Sequence, residues 1–132
     1  MEILIKRIDA QAVLPTYGRE AGSGIELHTV SEVVVEPGTD VQISTGVAIA
    51  LPVGYVGFVL DQYGLDSANS IRITPRTIDS GYRQEIFIEV TNVSDETHTF
   101  AAGDKIAQII VQKVERARLI EAEDLGLGET NE

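Results

Sequence analysis

Turn-forming residues interrupt this chain about every ten residues, and the stretches between them alternate apolar with polar. Val33-Val34-Val35 stops at Glu36-Pro37-Gly38-Thr39-Asp40, where proline fixes φ and glycine relaxes it. Val41, Ile43 and Thr45 alternate with polar neighbours up to Gly46, and Pro52-Val53-Gly54 separates the apolar runs 47–51 and 55–60. Ile71 and Ile73 alternate up to Pro75, and Ile86, Ile88 and Val90 run up to a turn at Asn92-Val93-Ser94-Asp95. Residues 97–100 precede Ala101-Ala102-Gly103-Asp104, and 106–114 reads as one long strand. The opening residues 1–6 read as a strand too. A period of two lays no continuous apolar stripe on a helix. The expected fold is therefore all-β, a sandwich or barrel. Helix is confined to one or two turns over 65–70, because Asp66, Ser67 and Asn69 leave no long apolar stripe there.

At 132 residues the chain has the length of one domain. Its 43% apolar and 23% charged residues give it enough apolar surface to build a core, which sets it apart from disordered chains. After Val114 the sequence turns acidic and glycine-containing, so a β domain over 1–118 and an acidic arm or mobile tail over 119–132 are expected. Ten basic residues against 21 acidic ones leave a formal charge of −11, a surface that repels nucleic acid polymers. A triphosphate would need local basic groups or Mg²⁺ to approach it. Without cysteine, disulfides and thiolate metal sites are excluded, and a cytoplasmic address is the default. His28 and His98 are not paired at ligand spacing and read as surface histidines on strands. No apolar run approaches the roughly 20 residues of a membrane helix, and the start lacks a signal-peptide pattern, so no membrane role is expected.

Four segments are polar or glycine-rich where the β pattern does not require it. Ala21-Gly22-Ser23-Gly24-Ile25-Glu26-Leu27 follows Leu14-Pro15, and its glycines permit unusual backbone angles or simply a loop entering a strand. Gly64-Leu65-Asp66-Ser67 is the second. The third, Thr77-Ile78-Asp79-Ser80-Gly81-Tyr82-Arg83-Gln84-Glu85-Ile86, reads as a hairpin tip. Asp79 and Tyr82 there can present a base and a flat stacking face, or Asp79 can merely bond its own backbone. The fourth, Gly103-Asp104-Lys105-Ile106-Ala107-Gln108, places a glutamine inside a buried-looking strand, where its amide must find partners.

In this order the segments resemble the trimeric dUTPase family over roughly residues 1–115. Residues 21–27 look like its first motif, and 51–57 like the strand leading to its second. Ile78-Asp79-Ser80-Gly81-Tyr82-Arg83 matches the third closely, and Gly103-Asp104-Lys105-Ile106-Ala107-Gln108 the fourth. The resemblance implies a jelly-roll-like fold that forms a homotrimer, with three sites between subunits. It implies cleavage of dUTP to dUMP and pyrophosphate, with Mg²⁺ on the triphosphate and water attacking the α-phosphorus. By motif, Asp79 would orient or deprotonate the water, and Tyr82 would pack on the deoxyribose, where a ribose 2′-hydroxyl would clash. Gln108 would contact phosphate. Ile78, Arg83 and the second-motif residues Gln62, Tyr63 and Gly64 would complete the substrate contacts.

The departures from the family cluster at the same place. The family's Pro-Arg-Ser-Gly-Leu is Asp61-Gln62-Tyr63-Gly64-Leu65 here, so an arginine and a serine that hold phosphate are absent. Arg76 and Gln84 stand where the third motif has glycines, and Glu26 where the first has aspartate. Of the glycine-rich C-terminal arm, Gly126-Leu127-Gly128-Glu129-Thr130 remains, with Leu127 for the stacking phenylalanine and Glu129 for the serine. One reading is dUTP hydrolysis with phosphate contacts rebuilt from Arg76, Arg83 or Lys105. The alternative is a homotrimer of the same fold that has lost catalysis and serves as a structural or regulatory module.

Overall fold

The computed structural model describes residues 1–18, 24–61 and 70–128. Among these residues there are twelve strands and no helix. They are β1 (Leu4–Arg7), β2 (Thr16–Tyr17), β3 (Ile25–His28), β4 (Val33–Val35), β5 (Asp40–Ser44), β6 (Val47–Ala50), β7 (Tyr55–Leu60), β8 (Ile71–Ile73), β9 (Arg76–Ile78), β10 (Phe87–Asn92), β11 (His98–Phe100) and β12 (Lys105–Lys113). The short helix expected over 65–70 falls almost wholly outside the described residues. No helix among them is long and apolar enough to cross a membrane.

The strands form a five-stranded sheet in the order β2-β3-β12-β7-β9, a three-stranded sheet β5-β10-β8, and the pairs β1-β6 and β4-β11. Most neighbours are far apart in sequence, the crossing connectivity of a jelly roll. Alternation now has its physical meaning. Ile25 and Leu27 of β3, Val59 of β7, Ile78 of β9 and Ile109 of β12 turn inward from one sheet. Ile43 of β5 and Ile88 and Val90 of β10 meet them from the other in a single core. Each such side chain contributes about 1.5–3 kcal/mol on burial. The pattern skips a beat at β12, where Ile106 and Ala107 are both buried, because the register against β3 shifts between Lys105 and Ala107.

The turn signals at 36–40 and 101–104 are realised. Gly38 and Gly103 adopt φ of 72° and 86°, and the amides of Thr39 and Asp104 donate back to Glu36 and Ala101. The expected hairpin at 79–82 is not. β9 pairs with β7, whereas β10 pairs with β5 and β8, so the Asp79–Tyr82 turn carries the chain from one sheet to another. Periodicity marks a segment as a strand without saying which strand it pairs with, and here consecutive strands part company. Beyond β12, Val114 donates its amide to Gly54, and residues 115–128 are exposed and belong to no strand.

Among the described residues three polar side chains are buried, those of Thr29, Thr45 and Asn92, and the last carries the most hydrogen-bonding groups. Asn92 is fully buried at the end of β10, and its Nδ2 donates to the carbonyls of Val35 (2.9 Å) and Glu96 (2.8 Å). Its Oδ1 accepts from the amide (3.0 Å) and hydroxyl (2.7 Å) of Ser94. Every hydrogen-bonding atom of the amide is thereby used, which removes the cost of burying it. Asn92→Ala strands two carbonyls and opens a void, so stability in equilibrium urea unfolding at fixed protein concentration should fall by about 3 kcal/mol. A loss under about 1 kcal/mol would mean the network holds nothing together.

Candidate functional site

The structure gathers the sequence-predicted site residues into two groups, one at each end of β7. The first forms around Gln108 on β12. Its Oε1 accepts from the amide of Gly24 at 3.0 Å, and its Nε2 donates to the carbonyl of Asp61 at 3.2 Å. The polar residue noticed in a buried-looking strand has therefore found the partners it needs. It also ties the first and fourth segments to Asp61, just beyond β7. Gly24 is buried against it so closely that an added Cβ would stand 2.6 Å from Gln108 Oε1 and 2.9 Å from the carbonyl oxygen of Ile109. Beside this cluster Lys105 Nζ pairs with Glu26 Oε2 at 3.2 Å, a largely exposed contact that contributes little to stability. Gln62, Tyr63 and Gly64 lie outside the described residues.

The second group is the Asp79–Tyr82 turn that follows β9. Ile78 is buried and anchors it, and the amide of Tyr82 donates to the carbonyl of Asp79 at 3.0 Å. Asp79 is exposed, and among the described residues its carboxylate has neither a hydrogen-bond nor an ion-pair partner. The side chain does not close the turn on its own backbone. It is left available to solvent.

Tyr82 is half-buried against the core and donates its hydroxyl to the carbonyl of Glu85 at 2.9 Å. The guanidinium of Arg76 stands 5.4 Å from its ring centroid and donates to the carbonyl of Phe87 at 3.3 Å. Arg83 folds back onto the turn, its Nη1 donating to the carbonyls of Ser80 (2.6 Å) and Tyr82 (3.0 Å). Each of the three basic residues considered for phosphate thus has a protein partner already: Arg76 with Phe87 and Tyr82, Arg83 with its own turn, Lys105 with Glu26.

Sequence reasoning missed Glu85. Its Oε2 accepts from the hydroxyl of Ser44 and from the amide of Gly46 at 2.9 Å, fastening the end of the turn to the bend between β5 and β6. The only trace in the sequence is a charged residue beside Ile86, because its partners lie 41 and 39 residues earlier.

The registers fix how far apart the two groups are. Ile78 lies opposite Gly57 of β7, and Gln108 lies opposite Leu60 from the other side of the same strand. Three residues of rise and two strand spacings separate the pair, and Asp79 is a step further still. Strand rise and spacing put the Cα atoms of Asp79 and Gln108 of one chain about 15 Å apart.

The family model for dUTPase matches residues 10–130. The chain belongs to the dUTPase family. The match runs past the 115 at which the motif resemblance was expected to end, and so takes in most of the acidic arm. The deoxyuridine 5′-triphosphate nucleotidohydrolase of Thermobifida fusca is 37% identical over 128 residues, covering 95% of this chain and 72% of that relative. The protein of the same name from Syntrophotalea carbinolica is 39% identical, covering 98% and 91%. Among solved structures, a mutant dUTPase of Staphylococcus aureus phage phi11 superposes with a TM-score of 0.87 at 22% identity, over 96% of this chain and all of that one. A mutant dUTPase of bacteriophage 80alpha with dUpNHpp gives 0.87 at 21% identity, over 97% and 92%. At such low identity the superpositions establish the jelly-roll dUTPase fold.

Gly24→Ala tests the first group. The methyl group would push against both Gln108 and a backbone carbonyl, and overpacking of that kind costs about 1–3 kcal/mol. The urea midpoint of the variant should fall accordingly, whereas an unchanged midpoint would show that Gly24 and Gln108 are not in contact.

Proposed function

We propose that this dUTPase-family chain hydrolyses dUTP to dUMP and pyrophosphate in sites built between neighbouring copies of a homotrimer. The observation that carries the reading is the separation of the two groups along β7. A carboxylate that activates the attacking water and an amide that contacts phosphate must both reach the α-phosphoryl group. The separation of about 15 Å is between backbones, and two side chains extended toward each other would be at the limit of what one phosphoryl group can bridge, which favours drawing them from different chains. Asp79 of one copy facing Gln108 of the next meets that need.

In this site Asp79 takes the proton of the attacking water as the new oxygen–phosphorus bond forms and pyrophosphate departs. Its freedom from protein partners suits that role. Tyr82, held on its inner side by the core, presents its remaining surface to the deoxyribose and leaves no room for a 2′-hydroxyl. Ile78 and Arg83 shape the same turn. Gln108 has one Nε2 proton beyond its bond to Asp61, and it offers that proton to phosphate. By the family motif, Gln62, Tyr63 and Gly64 complete the substrate contacts. The nucleotide enters as its Mg²⁺ complex, and the cation offsets the repulsion that a chain of charge −11 exerts on a triphosphate. Residues 119–132 serve as the arm that reaches from the β domain over a neighbouring copy. Leu119, Ile120, Leu125 and Leu127 are 72–106% exposed in the isolated chain and need such cover. The relatives at 37–39% identity are named as nucleotidohydrolases, which favours hydrolysis over a module that has lost catalysis.

The test is pyrophosphate release from dUTP and Mg²⁺ by wild type and Asp79→Asn. Replacing an exposed carboxylate should leave the melting temperature unchanged while kcat falls about 10²–10⁴-fold. Equal inertness of the two proteins, both folded and oligomeric, would defeat the reading.

A further inference from the structure

We infer that Glu85 is a positioning residue for the hydrolysis site, fixing Tyr82 and with it the sugar selectivity of the enzyme. The inference rests on the role proposed for Tyr82, and its geometry is independent of that role. Tyr82 makes one side-chain hydrogen bond, from its hydroxyl to the backbone carbonyl of Glu85 at 2.9 Å. Core packing and the Arg76 guanidinium hold the ring from its faces, and the position of its hydroxyl follows that of Glu85. That residue lies outside any strand, one position before the core residue Ile86 and two before β10 begins. Its carbonyl shares a peptide unit with the Ile86 amide, which is bonded to Val47, and its own carboxylate adds a second anchor. A single oxygen accepts both the Ser44 hydroxyl and the Gly46 amide.

The anchor at the other end is stiff. Gly46 has φ of 70°, and a Cβ there would come within 2.6 Å of Val30 and 2.8 Å of Ala12. Its carbonyl accepts the amides of Ile8 at 2.7 Å and Asp9 at 3.1 Å. The neighbouring residues continue the seam. Thr45 donates its hydroxyl to the carbonyl of Ile86 at 2.6 Å, and Ile86 donates its amide to Val47 at 2.9 Å. A chain of hydrogen bonds runs from the β5–β6 bend through the Glu85 carboxylate, and from the Glu85 carbonyl to the phenol. The Tyr82 amide donates to the Asp79 carbonyl, so one turn carries both residues.

A displaced phenol would no longer exclude a 2′-hydroxyl, so the signature of this role is a change in the ratio between ribo- and deoxyribonucleotide. Glutamine keeps an acceptor oxygen in the same place, whereas alanine has none. The experiment measures kcat and KM for dUTP and UTP, with melting temperatures, in wild type, Glu85→Gln, Glu85→Ala and Ser44→Ala. In Glu85→Ala the preference for dUTP over UTP should fall about tenfold or more. In Glu85→Gln it should stay within about twofold of wild type, and Ser44→Ala, which keeps the carboxylate and the Gly46 bond, should fall between.

Equal losses for both nucleotides, or failure of glutamine to restore the ratio, would reduce Glu85 to a structural clamp and overturn the inference. The same ratio is read from binding of dUpNHpp and its ribose counterpart. Should wild type bind these and hydrolyse nothing, the proposed hydrolysis fails while the binding ratio still decides the role of Glu85. A wild type that binds neither analogue, or an unchanged binding ratio in Glu85→Ala, overturns it as well.

Discussion

Strand β7 is shared by two neighbours whose registers decide where every candidate group ends up. β12 lies along one side and β9 along the other, and both run antiparallel to it. Hydrogen bonding from β12 sets Gln108 against Leu60, and hydrogen bonding from β9 sets Ile78 against Gly57. A slip of one residue in either ladder would turn Ile109 or Ile78 out of the core. Burial of those side chains therefore locks the two groups at opposite ends of the strand. Gly57 shows how tight the arrangement is, since a Cβ there would stand 3.0 Å from Ile109 and 3.2 Å from Leu51. The separation of the two groups within one chain is a consequence of core packing.

Local chemistry was legible in the sequence wherever a few adjacent residues determine it. The alternation of Ile43 and of Ile88 with Val90, the turns around Gly38 and Gly103, and the strand over 106–113 all follow from neighbours in the chain. Gln108 was legible in a subtler way. A polar side chain in an apolar strand has to be satisfied, and it is satisfied by Gly24 of the first segment and by the carbonyl of Asp61. The partner of β9 was not legible, because alternation in 76–78 and again in 86–90 is the same whether the strands pair with each other or with strands elsewhere. Glu85 was hidden for a related reason. Its contacts with Ser44 and Gly46 exist only because β5 and β10 lie side by side, with Phe87 opposite Ser44.

The departures from the family pattern take on physical content in the structure. Arg76, where a glycine is expected, spends its charge on the face of Tyr82 and on the carbonyl of Phe87, a second hold on the turn beside that of Glu85. Glu26, standing for an aspartate, reaches Lys105 and neutralises it locally. Both cations are thus engaged by the protein itself, and in the proposed reaction the charge on the triphosphate is left to Mg²⁺ bound to the substrate.

Mixed assemblies test the central claim, that one site draws Asp79 and Gln108 from different copies. Asp79→Asn and Gln108→Ala chains, each inactive alone, are unfolded together, refolded at equal ratio and assayed with dUTP. Random assortment pairs an intact Asp79 with an intact Gln108 across about a quarter of the interfaces, so about a quarter of the wild-type activity should return. Mixtures that stay as inactive as the separate variants, despite forming mixed oligomers, would place both groups in a site within one chain and contradict the account.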